Sequence, residues 1–184
     1  MVIDFGEGVT DCAVISEGRI IASKAARGGC CAIREAVTAV VEREMGVVLS
    51  ESEAERIVRH VGLPASRPNP SGVVLAQARA PGAILPRRHA LSATLIATAI
   101  EQSAMRTLDT AADFVEEIDS RLLAEVFENG VLLTGGGALI PGMPARFRER
   151  LSLPIRVAPA PLDSVINGAR EMLGVAMEAG LWRS

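Results

Sequence analysis

Asp4-Phe5-Gly6-Glu7-Gly8-Val9-Thr10-Asp11 follows the apolar run Met1-Val2-Ile3 and places an acid, two glycines one residue apart and a hydroxyl between two apolar segments. This is the composition of a strand–turn–strand hairpin suited to phosphate oxygens. Gly6 and Gly8 can take backbone angles closed to other residues, so the spacing predicts N–H groups converging on an anion. Asp4, at the strand end, is placed to hold a hydrated Mg²⁺ through water. The alternative is a plain hairpin with flexible glycines. Nothing precedes the hairpin in the chain, so the opposite wall of such a site is expected to come from elsewhere.

A second glycine-rich turn lies far along the chain, where Gly130-Val131-Leu132-Leu133-Thr134 reads as a buried strand entering Gly135-Gly136-Gly137. Three successive glycines let a flat ring or a ribose lie directly on backbone. The competing reading is a tight strand-to-helix turn. The dinucleotide fingerprint GxGxxG fails, because position 140 is Ile140, and Val157-Ala158-Pro159 stand where its acid should fall. A third element is the helix predicted for Glu51–Val61, with Ser50 as N-cap and Glu53 completing a capping box. Glu55, Arg59 and Gly62 share one face of it. A carboxylate for ribose hydroxyls, a guanidinium that stacks on adenine and a glycine that gives room suit a nucleoside. A solvated i,i+4 pair is the plainer account.

Composition narrows the class. The chain has 184 residues, 49% hydrophobic and 22% charged, with a formal net charge of −3, which fits one domain or two small lobes. There is no basic block and only 3% aromatic content, so nucleic acid is not an expected partner. No long apolar run or basic leader stands out, so neither a membrane span nor a signal peptide is expected. Cys12, Cys30 and Cys31 lack CxxC spacing and read as reduced, mostly buried thiols of a cytoplasmic protein.

Strands are predicted at Val2–Phe5, Asp11–Ser16, Arg19–Ser23, Val73–Ala78, Gly130–Thr134 and Pro154–Ala158, with a further one at Ala83–Leu85. Helices are predicted at Ala32–Glu44, Glu51–Val61, Leu91–Asp109, Pro144–Leu151 and Ser164–Ala179. A short helix and a turn are expected within Ala111–Leu123, and a loop-rich tract from Leu63 to Arg88.

The order of these parts resembles the second half of the actin-like ATPases, and more narrowly the MreB family of bacterial cell-shape proteins. The resemblance covers nearly the whole chain. Its most specific pieces are Val131-Leu132-Leu133-Thr134-Gly135-Gly136-Gly137-Ala138-Leu139-Ile140-Pro141-Gly142 and Ala54-Glu55-Arg56-Ile57. Leu153-Pro154-Ile155, Ala160-Pro161-Leu162 and Pro86-Arg87 are also similar. It implies an α/β fold with a ribonuclease-H-like core, residues 1–26 and 91–184, and a small inserted α+β lobe, residues 27–90. It implies ATP or ADP with Mg²⁺, bound weakly or only with a partner. Asp4, Gly6, Glu7, Gly8 and Thr10 would form the phosphate loop, with Asp4 near the metal. Gly135, Gly136 and Gly137 would carry the adenosine, with Glu55 at the ribose.

The chain departs from the family at Glu7, where most members have Gly, and at Val58, where a Lys is usual. It also carries Gly28-Gly29-Cys30-Cys31 in place of Gly-Gly-Asp. An acid at position 7 repels phosphates unless a metal screens it. The family hydrolyses ATP between two domains, so this chain alone is not expected to turn ATP over. The expected role is a shortened, MreB-like cytoskeletal component, completed by a separately encoded first half or acting with full-length MreB. The alternatives are a non-enzymatic partner that modulates or caps MreB filaments, and a remnant or mis-started reading frame. A partly bare apolar face inviting self-association is expected, and direct membrane contact is not.

Overall fold

The computed structural model describes residues 1–63 and 72–178. Its centre is a five-stranded sheet built from β1 (Val2–Phe5), β2 (Val9–Ser16), β3 (Arg19–Arg27), β7 (Val131–Thr134) and β8 (Ile155–Val157), in the order β3-β2-β1-β7-β8. The first three strands run antiparallel as a meander, and β7 and β8 pair in parallel with β1 and with each other. This is the ribonuclease-H-type arrangement that the resemblance implies. A second, antiparallel sheet is formed by β4 (Val48–Leu49), β5 (Val73–Arg79) and β6 (Arg87–Ser92), in that order.

The helices are α1 (Cys30–Met45), α2 (Glu51–Val61), α3 (Ala93–Glu117), α4 (Ser120–Asn129), α5 (Met143–Leu151) and α6 (Ser164–Glu178), with a 3-10 turn at Gly136–Leu139. The core runs continuously from the central sheet under α1, α3 and α5. Phe5 and Phe147 meet edge to face inside it, ring centroids 6.2 Å apart at 75°.

Three expectations need correction. The helix predicted to stop at Asp109 continues to Glu117. No Gly or Pro interrupts it, and the Thr110 hydroxyl donates to the Arg106 carbonyl at 2.9 Å, which lets a threonine sit inside a helix. The chain then breaks at Ile118, and Asp119 caps α4 by accepting the Arg121 N–H at 2.8 Å. Ala83–Leu85 is not a strand; the partner of β5 is Arg87–Ser92, four residues later. The Ser50 cap forms, but Glu53 does not fold back to complete a box. Its carboxylate accepts the Gln77 N–H of β5 at 2.6 Å and holds Arg56, so a tertiary donor outcompetes the local one. Part of the loop-rich tract, residues 64–71, and Ala179 lie outside the described residues.

Candidate functional site

The two glycine turns, about 130 residues apart in sequence, meet because β1 and β7 are parallel neighbours. Register pairs Ile3 with Leu133 and Asp4 with Thr134, so the turns after both strands emerge at the same sheet end. That is where open α/β sheets present ligand crevices. Between them lies a groove of about 410 Å³ lined by Asp4, Gly6, Glu7, Glu55, Arg59, Gly135 and Gly136, together with Cys30, Arg34 and Val58.

The hairpin turn is held from below. Gly28 N–H donates to Gly8 O at 3.0 Å, Cys30 N–H to Gly6 O at 3.1 Å and Cys31 N–H to Glu7 O at 2.9 Å. The first N–H groups of α1 are therefore spent on the hairpin. Gly29 must be glycine for this contact, since a Cβ there would stand 2.6 Å from the Glu7 carbonyl oxygen.

The glycine-rich turn after β7 divides its tasks among three positions. Gly135 has φ +82° and leaves no room for a side chain against Asp4 and Phe5. Its N–H donates to Pro161 O at 3.0 Å. Gly136 faces the groove, where a Cβ would meet only Cys30 Sγ and Leu162 Cδ2, each at 3.6 Å. Gly137 faces the core, directly over the Phe5 ring.

Three predicted site residues are outside the groove lining. Thr10 is buried and its hydroxyl donates to Gly28 O at 3.0 Å, so it ties the hairpin to the segment before α1. Gly8 is exposed beyond the rim, and Gly137 is packed on Phe5. One donor is also reassigned. Gly6 N–H donates to Val9 O at 3.1 Å inside the turn, so it is not presented to an anion as the spacing predicts. Gly62, expected to make room for a nucleoside, makes room for Pro141 instead, and Leu63 N–H donates to Pro141 O at 2.8 Å.

Glu55 and Arg59 are paired at 2.7 Å on the groove wall. The residue that sequence reasoning missed is Arg34. It sits on the buried stripe of α1 with Val37 and Val41, its side chain only 9% exposed, and it binds the carboxylates of Glu7, Glu51 and Glu55. A lone cation in an apolar helical stripe was the available signal. Arg34 screens Glu7: its hydrogen bonds hold the Glu7 carboxyl below its usual value. Burial, reinforced by Asp11 across the hairpin, pushes Asp4 up instead. Cys30 is pushed up to about 11, chiefly by burial and then by Glu7 and Glu55, so it stays a poorly reactive thiol at neutral pH.

These shifts fix a pH dependence. Glu7 has a depressed folded pKa, so its pairing stabilises above the ordinary carboxylate range of about pH 4 and is lost as pH falls through the depressed value. Asp4 acts in the opposite sense, favouring the fold in its protonated form and costing stability as pH rises to its raised value. In denaturant titrations from pH 7 downward, Glu7→Gln is expected to flatten the acid-side loss. An unchanged acid limb would show that the pair contributes nothing.

Asp4 is a single carboxylate at a strand end, a donor set that fits Mg²⁺ held mostly by water and phosphate oxygens. Among the described residues, no group of three or more His, Cys, Asp or Glu side chains is gathered for a metal. No described helix is long and apolar enough to cross a membrane.

Comparison with known proteins agrees with this geometry. Residues 1–179 match the family described as MreB/Mbl protein. The cell shape-determining protein MreB of Haemophilus influenzae is 33% identical over 177 residues, covering 94% of this chain and 50% of that protein. The solved structure of MreB5 of Spiroplasma citri bound to ADP superposes with a TM-score of 0.82 at 24% identity, over 92% of this chain and 51% of that one. A MamK double helical filament superposes with a TM-score of 0.68 at 16% identity, over 88% and 50%. The chain thus spans about half the length of the relatives it matches. With an actin-type core and a family match over nearly its whole length, the chain belongs to the MreB/Mbl family.

Proposed function

We propose that this chain supplies one wall of an adenine-nucleotide site in a cytoplasmic, actin-type protein of bacterial cell-shape determination. The observation that carries the reading is the shared groove, in which Asp4, Gly6 and Glu7 face Gly135 and Gly136, with Glu55 and Arg59 along one side. The hairpin end takes the phosphates, the bare backbone of Gly136 takes the ribose or base, and Glu55 takes ribose hydroxyls. Asp4 would hold Mg²⁺ through water, and the ion would supply the positive charge that a polyphosphate needs here. The MreB5 structure holding ADP supports the ligand class. The division into a core, residues 1–26 and 91–184, and a small lobe, residues 27–90, belongs to the same reading, with α2 of the lobe lining the groove beside the turns of the core.

A partner is proposed to close the site. Leu162 and Val165 line the groove, and beside them α6 leaves Ile166, Met172 and Leu173 largely exposed. An apolar stripe at the lip of a nucleotide groove suits a second wall, from full-length MreB, a separately encoded first half or another copy of this chain. MamK, whose structure superposes on this chain, forms a double helical filament, which supports self-association as one source of the second wall.

Affinity follows from the wall count. A closed site of micromolar affinity is worth about 8 kcal/mol, and one wall retaining half of that binds at about millimolar. Titration of the purified chain with Mg-ADP and Mg-AMPPNP is expected to give dissociation constants near that level, tightening when a partner is added. Absence of binding with and without partners would remove the reading.

A further inference from the structure

The Arg34 guanidinium is more heavily engaged than an ordinary ion pair. Its Nη1 donates to Glu7 Oε2 at 3.0 Å and to Glu55 Oε2 at 3.3 Å. Its Nη2 donates to Glu7 Oε1 and, at 3.0 Å, to Glu51 Oε1. Glu7 therefore spans the flat fork with both oxygens, while Glu55 and Glu51 of α2 hold the two outer edges. The remaining N–H, on Nε, is buried without an acceptor, and it is the one side-chain polar atom in that state among the described residues. A buried donor left unpaired is costly and calls for an acceptor.

The three carboxylates are not equivalent. Glu55 is also bound by Arg59, and both Glu55 and Glu51 are anchored on a helix. Glu7 stands on an open turn between two glycines, its side chain 64% exposed, and can swing clear. The fork that Glu7 occupies accepts a carboxylate and a phosphate in the same bidentate geometry. Without that fork, phosphates would face Asp4, Glu7 and Glu55 with only Arg59 in opposition.

We infer that Arg34 is the phosphate receptor of this groove and Glu7 its stand-in ligand. A nucleotide's phosphate oxygens displace the Glu7 carboxylate from the fork, while Glu51 and Glu55 keep the guanidinium in place. The inference rests on the nucleotide reading above and deepens it: the preferred ligand is a nucleoside di- or triphosphate, selected over the nucleoside by Arg34.

The test compares ADP with adenosine in excess Mg²⁺ by ligand-observed NMR, which suits weak binding, in the wild-type chain, Glu7→Gln, Arg34→Lys and Arg34→Gln. Removing the competing carboxylate in Glu7→Gln should tighten ADP about three- to tenfold and leave adenosine unchanged. Arg34→Gln should weaken ADP about tenfold or more with adenosine unaffected, and Arg34→Lys, which keeps the charge but not the fork, should fall between. Equal losses for both ligands in Arg34→Gln would mean that Arg34 only positions Glu55, and would overturn the inference. So would a Glu7→Gln variant that binds ADP no better than wild type; this variant, altered on an exposed turn, decides the matter if Arg34→Gln does not fold. A wild-type chain that binds neither ligand, alone or with full-length MreB added, would instead overturn the nucleotide reading itself.

Discussion

Gly137→Ala is expected to rank with the most damaging conservative changes among the described residues, lowering stability by about 3 kcal/mol or more. A Cβ built on Gly137 overlaps the Cγ and Cδ1 atoms of the Phe5 ring. The ring cannot retreat, because Phe5 is fully buried at the strand end and set edge-on against Phe147, itself fully buried. Relief requires either the 3-10 turn to lift off the sheet or two aromatic rings to repack. At roughly 2–4 °C per kcal/mol for a chain of this size, the thermal midpoint should fall by about 6–12 °C. Gly8→Ala is the matched control, since a Cβ there meets nothing within 4 Å, and its midpoint should scarcely move. Equal midpoints for the two variants would show that the turn does not press on Phe5.

The neighbouring residue should behave in the reverse way. Gly136→Val is expected to leave the fold intact and to weaken nucleotide binding by roughly 10- to 100-fold, the cost of forcing two methyl groups into a fitted contact. Its backbone is not in the left-handed region, and a Cβ finds Cys30 Sγ and Leu162 Cδ2 at ordinary contact distance. The new methyl groups would occupy the groove floor, where the proposed function puts the sugar or base. Calorimetry with Mg-ADP, beside a melting curve, separates the two effects. A variant that melts like wild type and binds equally well would place the ligand elsewhere. Two adjacent glycines thus serve opposite masters: Gly137 the core and Gly136 the groove.

That division explains how far the sequence was readable. The run Gly135-Gly136-Gly137 announced a backbone turn, but which glycine faced which side depended on the 3-10 geometry and on where Phe5 lay. The meeting of the two turns was legible through the resemblance in element order, and the parallel pairing of β1 with β7 realises it. Thr10 carried a hydroxyl beside a phosphate-type loop, yet the fold turns it towards Gly28 O, a partner set by the register between β2 and β3. Arg34 was the residue least accessible to reading. Its three acidic partners come from two separate elements, and nothing local links position 34 to positions 7, 51 and 55. The length of α3 was misjudged at Asp109: no Gly or Pro follows to stop the helix, and Thr110 continues it with its hydroxyl bonded back to Arg106.

The claim beneath the whole account is that one crevice at the ends of β1 and β7 accepts adenine nucleotide. Amide-resolved NMR during a Mg-ADP titration tests it most directly. The account predicts shifts that saturate together at Gly6, Glu7, Cys30, Glu55, Gly135 and Gly136, and that are lost in Gly136→Val. Shifts concentrated instead around Arg27, Arg43 and Arg106, which line a separate hollow between α1 and α3, would contradict it.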